Sequence, residues 1–77
     1  MGGSCDKYVQ AVQDIEAVAF WRYHCGAVPA ALVSTIRDRA REDHEYAEHI
    51  ARLVRSGTYL VSNATLARVM SEIIPMA

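Results

Sequence analysis

From Pro29 to Arg55, Val33, Ile36, Ala40, Asp43, Ala47, Ile50 and Val54 recur at alternating steps of three and four. That spacing keeps their side chains on one stripe of a helix, the seam by which a helix packs on another. No Gly or other Pro lies between Pro29 and Arg55. The pattern therefore favours one continuous helix of roughly 40 Å at about 1.5 Å per residue, the alternative being a break near Asp43 in the charged stretch Arg37 to Glu45. One seam position is a carboxylate, Asp43. It is either an exposed Asp beyond the covered part of the helix or a polar seam residue that fixes register or selects a partner. A carboxylate buried there without a partner is costly.

Upstream, Ser4 is placed to cap a first helix, with Asp6 in its first turn where a carboxylate suits the helix dipole. At 100° per residue, Tyr8, Ala11, Val12, Ile15, Val18, Ala19 and Tyr23 fall on one face, and Lys7, Gln10, Gln13, Asp14 and His24 fall opposite. Trp21 lands in the middle of the polar face and Phe20 at its edge. Gly26 suits the stop after Cys25, and Pro29 suits the first position of the next helix. So short a connection predicts an antiparallel hairpin in which paired positions sum to about 54, with Val18 near Ile36, Asp14 near Ala40, and Gln10 or Ala11 near Asp43.

Gly57 closes the second helix, and Thr58 to Val61 reads as an extended connector with Tyr59 and Val61 pointing the same way. Ser62 or Asn63 then caps a third helix over 63–74, carrying Leu66, Val69, Met70 and Ile73 at helical spacing. Pro75 bars its continuation. Ser62 to Met70 resembles the recognition helix of helix-turn-helix DNA-binding proteins, with a capped start ahead of Thr65, Leu66 and Arg68. The resemblance departs from the motif at Leu60, which holds the turn glycine position, and at Gly57, which would fall inside the preceding helix. It implies a small transcriptional regulator that reads DNA with residues 62–70. The alternative is an ordinary packing helix, favoured because Arg68 is its lone cation.

In Glu42, Asp43, His44, Glu45, Glu48 and His49, two His/Glu pairs sit one turn apart, a spacing that can hold a metal ion. The two histidines point about 140° apart and no Glu-x-x-His or His-Glu-x-x-His is present. The expectation is a charged face, with no metal and no cofactor. Cys5 and Cys25 would lie about 30 Å apart along a continuous first helix, too far for a disulfide, and are expected as free thiols. No catalytic motif stands out, and an enzyme is not expected.

Eight Lys plus Arg against nine Asp plus Glu leave a net charge of −1, which argues against nucleic acid or anionic membrane as a partner drawn by bulk charge. Of the basic residues only Lys7 is a lysine, and arginine suits fixed interfaces. There is neither an apolar run long enough to span a membrane nor a signal-peptide pattern, so a cytoplasmic location is expected. A chain of 77 residues buries a thin core, and dimerisation is the simplest remedy.

These features together predict an all-α protein. A flexible start over 1–4 precedes one helical domain over 5–77, built as a long antiparallel helical hairpin plus a short C-terminal helix and dimerising into a helical bundle. Ile36, Ala40, Asp43, Ala47, Ile50 and Val54 form the seam or dimer face. Phe20, Trp21, Arg22 and Tyr23, near the hairpin tip, form a partner-binding surface unless the third helix or a second chain covers Trp21. The expected function is a non-enzymatic interaction module, a homodimer that docks on a larger protein and modulates it, inhibition included.

Overall fold

The computed structural model describes residues 3–74, with side chains from residue 6 onward. They form four helices: α1 (Gly3–Cys25), α2 (Ala30–Glu42), α3 (His44–Ser56) and α4 (Asn63–Ile73). There is no strand among the described residues. The expected N-cap Ser4 lies inside the first turn of α1, which takes in Gly3 and Ser4 from the stretch expected to be a flexible start. Pro75 lies outside the described residues.

Local chemistry sets most of the helix ends. Gly26 has φ +77° and donates its N–H to the Arg22 carbonyl at 3.0 Å, which closes α1 in the left-handed conformation that only glycine adopts freely. Ser62 accepts the Thr65 N–H at 3.2 Å and starts α4. Asn63 donates its side-chain amide to the carbonyls of Val54 at 2.7 Å and Gly57 at 2.9 Å, tying the end of α3 to the start of α4. At the other end of α4, Arg37 Nε donates to the Ile73 carbonyl at 3.1 Å. Gly57 is there for close approach: a Cβ would collide with the Tyr59 ring packed over it.

The continuous helix expected over 29–55 is broken at Asp43, which adopts φ −137° and ψ 106°. The reason is its side chain. Asp is among the best N-cap residues, and Asp43 Oδ1 accepts the N–H of Glu45 at 3.1 Å and of Tyr46 at 3.4 Å, starting a new helix at His44. Lys7 of α1 approaches Asp43 Oδ2 at 3.3 Å and pins the junction.

Because of this break, α1 packs mainly on α3 rather than on α2. Lys7 reaches Glu45 at 2.8 Å, the Tyr8 ring stands edge-on to His49 with centroids 5.6 Å apart, and Glu16, Ala19 and Phe20 share a cavity with Thr58, Tyr59 and Leu60. Higher positions in α1 thus meet higher positions in α3, so the two helices run side by side in the same direction. The register that set Gln10 or Ala11 against Asp43 gives way to one with Lys7 there. Asp14 does come beside α2 as expected, meeting Arg39.

The core takes Ala11, Ile15, Val18 and Ala19 from α1, Ile36 from α2, Tyr46, Ile50 and Val54 from α3, and Leu66, Met70 and Ile73 from α4. Tyr59 and Val61 of the connector pack against it together. Tyr8 and Tyr23, expected on the buried face of α1, are 48% and 60% exposed. The face that α3 covers is narrower than the apolar face of the helix, and both tyrosines fall outside it.

Candidate protein-docking surface

With its inner face spent on the core, α1 carries a second apolar face outward. Phe20, Trp21 and Tyr23 are 47%, 37% and 60% exposed. The Phe20 ring lies edge-to-face with Trp21 at 5.7 Å and tilted on His24 at 4.4 Å, and Tyr23 lies edge-on to His24 at 5.0 Å. Such edge-to-face pairs suit the ring quadrupoles and hold the side chains in fixed mutual orientation. Arg22, expected beside them and also exposed, instead lines a separate cavity with Val28, Arg37 and Ile73, on the side of α1 that continues the buried row Ala11, Ile15 and Val18. Beside Phe20 opens a cavity of about 470 Å³, walled by Glu16, Ala19, Thr58, Tyr59 and Leu60. Leu60 at its rim is 54% exposed.

Burial pushes the Tyr59 hydroxyl above its ordinary pKa, with Glu16 and Tyr8 adding to the shift. It is therefore a neutral phenol at physiological pH. The patch thus offers large aromatic rings, a neutral phenol and a groove, which is the chemistry of contact rather than of bond making.

The other charged groups hold the fold. Asp14 is buried, and it accepts Gln10 Nε2 at 3.1 Å, Arg39 Nη1 at 2.7 Å and the Tyr46 hydroxyl. Burial, and then the hydrogen bond to Asp14, push the Tyr46 phenol far above its ordinary pKa, so it stays protonated and donating. The helical wheel set Asp14 on the polar face, and nothing in its own neighbourhood reveals the two partners that desolvate it. A tyrosine at position 46, on the inner side of α3, is the signal that could have found them.

At the α2–α3 break, Lys7 bridges Asp43 and Glu45. The Glu45 carboxyl sits below its ordinary pKa because of the Lys7 hydrogen bond and charge. At Asp43 partial desolvation pulls the pKa up, but the bonds from Lys7 and from the Tyr46 and Glu45 N–H groups outweigh it and the net shift is down. A carboxyl with a depressed folded pKa stabilises the fold above its unfolded pKa and loses that contribution as pH falls through the folded value. The melting temperature is therefore expected to fall on acidification below about pH 4.5, the ordinary carboxylate range. Lys7→Gln should flatten that fall. Parallel acid melts followed by circular dichroism would contradict the assignment if the two chains lost stability alike.

The expected seam residues divide. Ile36, Ile50 and Val54 are buried within the chain, Ala40 packs against the same core, Ala47 is half-buried, and Asp43 is the cap. The part of that seam in α3, read from the sequence as a dimer face, is covered by α1 of the same molecule. His44 and Glu48 meet at 3.1 Å, an ion pair when His44 is protonated, and no metal-holding cluster occurs among the described residues. His49 Nε2 is buried and finds no hydrogen-bond partner among them. Cys25 is a free, exposed thiol, and the Cys5 side chain lies outside the described residues. No helix among them is long and apolar enough to cross a membrane. In α4 the residues that resemble a recognition helix divide between the fold and the surface. Leu66 is fully buried, Thr65 takes part in the cap, and Arg68 is exposed beside Ala64, Ser71 and Glu72.

Family models, curated proteins and solved structures yield no match to this chain. The functional reading therefore rests on geometry. Two arrangements stand out, an outward aromatic cluster that the core does not need and a single-residue break held by a side-chain cap.

Proposed function

We propose that this chain is a non-enzymatic interaction module that docks on a larger protein through the outer face of α1 and modulates it, working in the cytoplasm as a homodimer. One observation carries the docking reading: Phe20, Trp21 and Tyr23 lie exposed on one helix, Phe20 against Trp21 and both Phe20 and Tyr23 against His24, while the core closes without them. Keeping three large rings in water is unfavourable for an isolated chain, and Trp and Tyr are over-represented at binding hot spots. The partner that fits has an apolar cleft for Trp21 and Phe20.

Trp21→Ala is the test. Its melting temperature should stay close to that of the parent, because Trp21 lies outside the core. Partner capture from the source cell, compared between the two chains by pull-down and mass spectrometry, should fall about thirtyfold or more, the effect of losing a hot spot of roughly 2 kcal/mol. If Trp21→Ala captured the same proteins as the parent, the α1 face would not be the docking surface. A large drop in melting temperature would instead make Trp21 part of the fold.

A further inference from the structure

The break at Asp43 is a single residue, and the sequence on both sides of it is written for one helix. The seam Val33, Ile36, Ala40, Asp43, Ala47, Ile50 and Val54 keeps its step through the break. Helical hydrogen bonding persists up to it and across it: the Asp43 N–H donates to the Arg39 carbonyl at 2.9 Å, and the Ala47 N–H to the Asp43 carbonyl at 3.2 Å. Only the bonds from His44, Glu45 and Tyr46 back to Ala40, Arg41 and Glu42 are missing. Two of those three N–H groups are held by the Asp43 carboxylate instead. Rotating one residue from extended to helical φ and ψ would therefore restore three backbone bonds and fuse α2 with α3. The fused helix would span about 40 Å, longer than the 37 Å longest dimension of the folded chain. In that form α3 and α4 swing away from α1, and the interface between α1 and α3 is vacated on both sides.

We propose that Asp43 is the hinge of a domain exchange between two copies of this chain, in which α2 and α3 join as one helix and α3–α4 of each copy occupies the place beside α1 of the other. The occupant is a second copy because only an identical α3–α4 unit reproduces the core that Ile50, Val54, Leu66 and Met70 share with Ile15 and Val18. A connection of one residue is also the shortest possible hinge, and short hinges favour exchange over closure. The closed form is held by the Asp43 cap and by Lys7 on the same carboxylate. The exchanged form is favoured by the recovered backbone bonds and by concentration. This deepens the homodimer part of the function proposed above and is independent of the aromatic face.

Asp43→Leu removes the cap and the Lys7 pair and completes the apolar seam. Each dimer then no longer gives up two N-caps on opening, so its dissociation constant should fall roughly thirtyfold below that of the parent in sedimentation equilibrium. Asp43→Asn, which keeps a capping side chain, should stay near the parent. Exchange is read directly with Cys5→Ser and Cys25→Ser combined with Tyr8→Cys and His49→Cys, since the Tyr8 and His49 rings lie 5.6 Å apart. A short bismaleimide then links residues 8 and 49 within one chain in the closed monomer and between chains in the exchanged dimer.

Covalent dimer in the fraction that sediments at twice 8.5 kDa, enriched by Asp43→Leu, is the expected result. Dimers whose linker closes within each chain would overturn exchange and leave the homodimer standing. Parent and Asp43→Leu both sedimenting as folded monomers up to millimolar concentration would overturn the two together.

Discussion

Asp14→Ala should cost the fold about 2–3 kcal/mol, most of the net stability that a core of this size supplies. The carboxylate is buried, and its removal leaves the Tyr46 hydroxyl, on a residue only 3% exposed, without its acceptor. A buried donor stripped of its partner bears the full desolvation penalty, whereas a hydrogen bond lost together with both partners is nearly neutral. Arg39 limits the damage. Its side chain is 39% exposed and can turn to water, so the loss stays below the 3–5 kcal/mol typical of breaking a fully buried ion pair. Tyr46→Phe, which removes one donor and leaves Asp14 with Gln10 and Arg39, should cost only about 1 kcal/mol. Urea titrations of the two variants by circular dichroism would refute this account if Asp14→Ala were no worse than Tyr46→Phe.

Leu66→Ala should be as severe. Leu66 is fully buried in the core that α4 shares with α3 and α2, and large-to-small changes at such sites cost about 2–5 kcal/mol through lost burial plus a residual cavity. The variant also separates two readings of α4. If Ser62 to Met70 presented Leu66 to a DNA groove, truncating it would leave the melting temperature unchanged and weaken DNA binding. A packing helix predicts the reverse. Arg68→Ala, on the exposed side of α4, is the matched control and should leave stability within about 0.5 kcal/mol.

The helix ends that sequence makes legible are those set by neighbours in the chain. Gly26 after Cys25, Ser62 before Asn63 and the stop near Ile73 all follow from local capping chemistry, and each lies where the residues place it. At Asp43 the same reasoning favoured continuity over a break, because an aspartate in mid-helix carries two meanings. It is a modest penalty inside a helix and a strong start signal at a cap, and what favours the cap here is Lys7, 36 residues away and invisible to a window of sequence. Asp14 was misplaced for a similar reason. A wheel sorts residues by polarity, whereas Asp14 is buried because Tyr46 and Arg39 supply its hydrogen bonds from other helices. On the candidate surface the sequence did single out Phe20 and Trp21, since an aromatic on a polar face is anomalous wherever it lies. It could not single out Leu60 or the cavity beside Phe20, which exist only once the connector folds back across α1.

The side-chain amide of Asn63 spans only nine positions to reach the Val54 carbonyl, whereas Lys7 must reach across 38 to find Glu45. Closing the longer loop costs more chain entropy, and it is repaid only when α1 lies fully alongside α3. The corner between α3 and α4 is thus expected to form early in folding, with α1 docking last. In native-state hydrogen exchange the amides near Lys7 and Tyr8 should open at lower free energy than those of Ile50 and Leu66. The helix that carries the aromatic surface would then also be the first to detach.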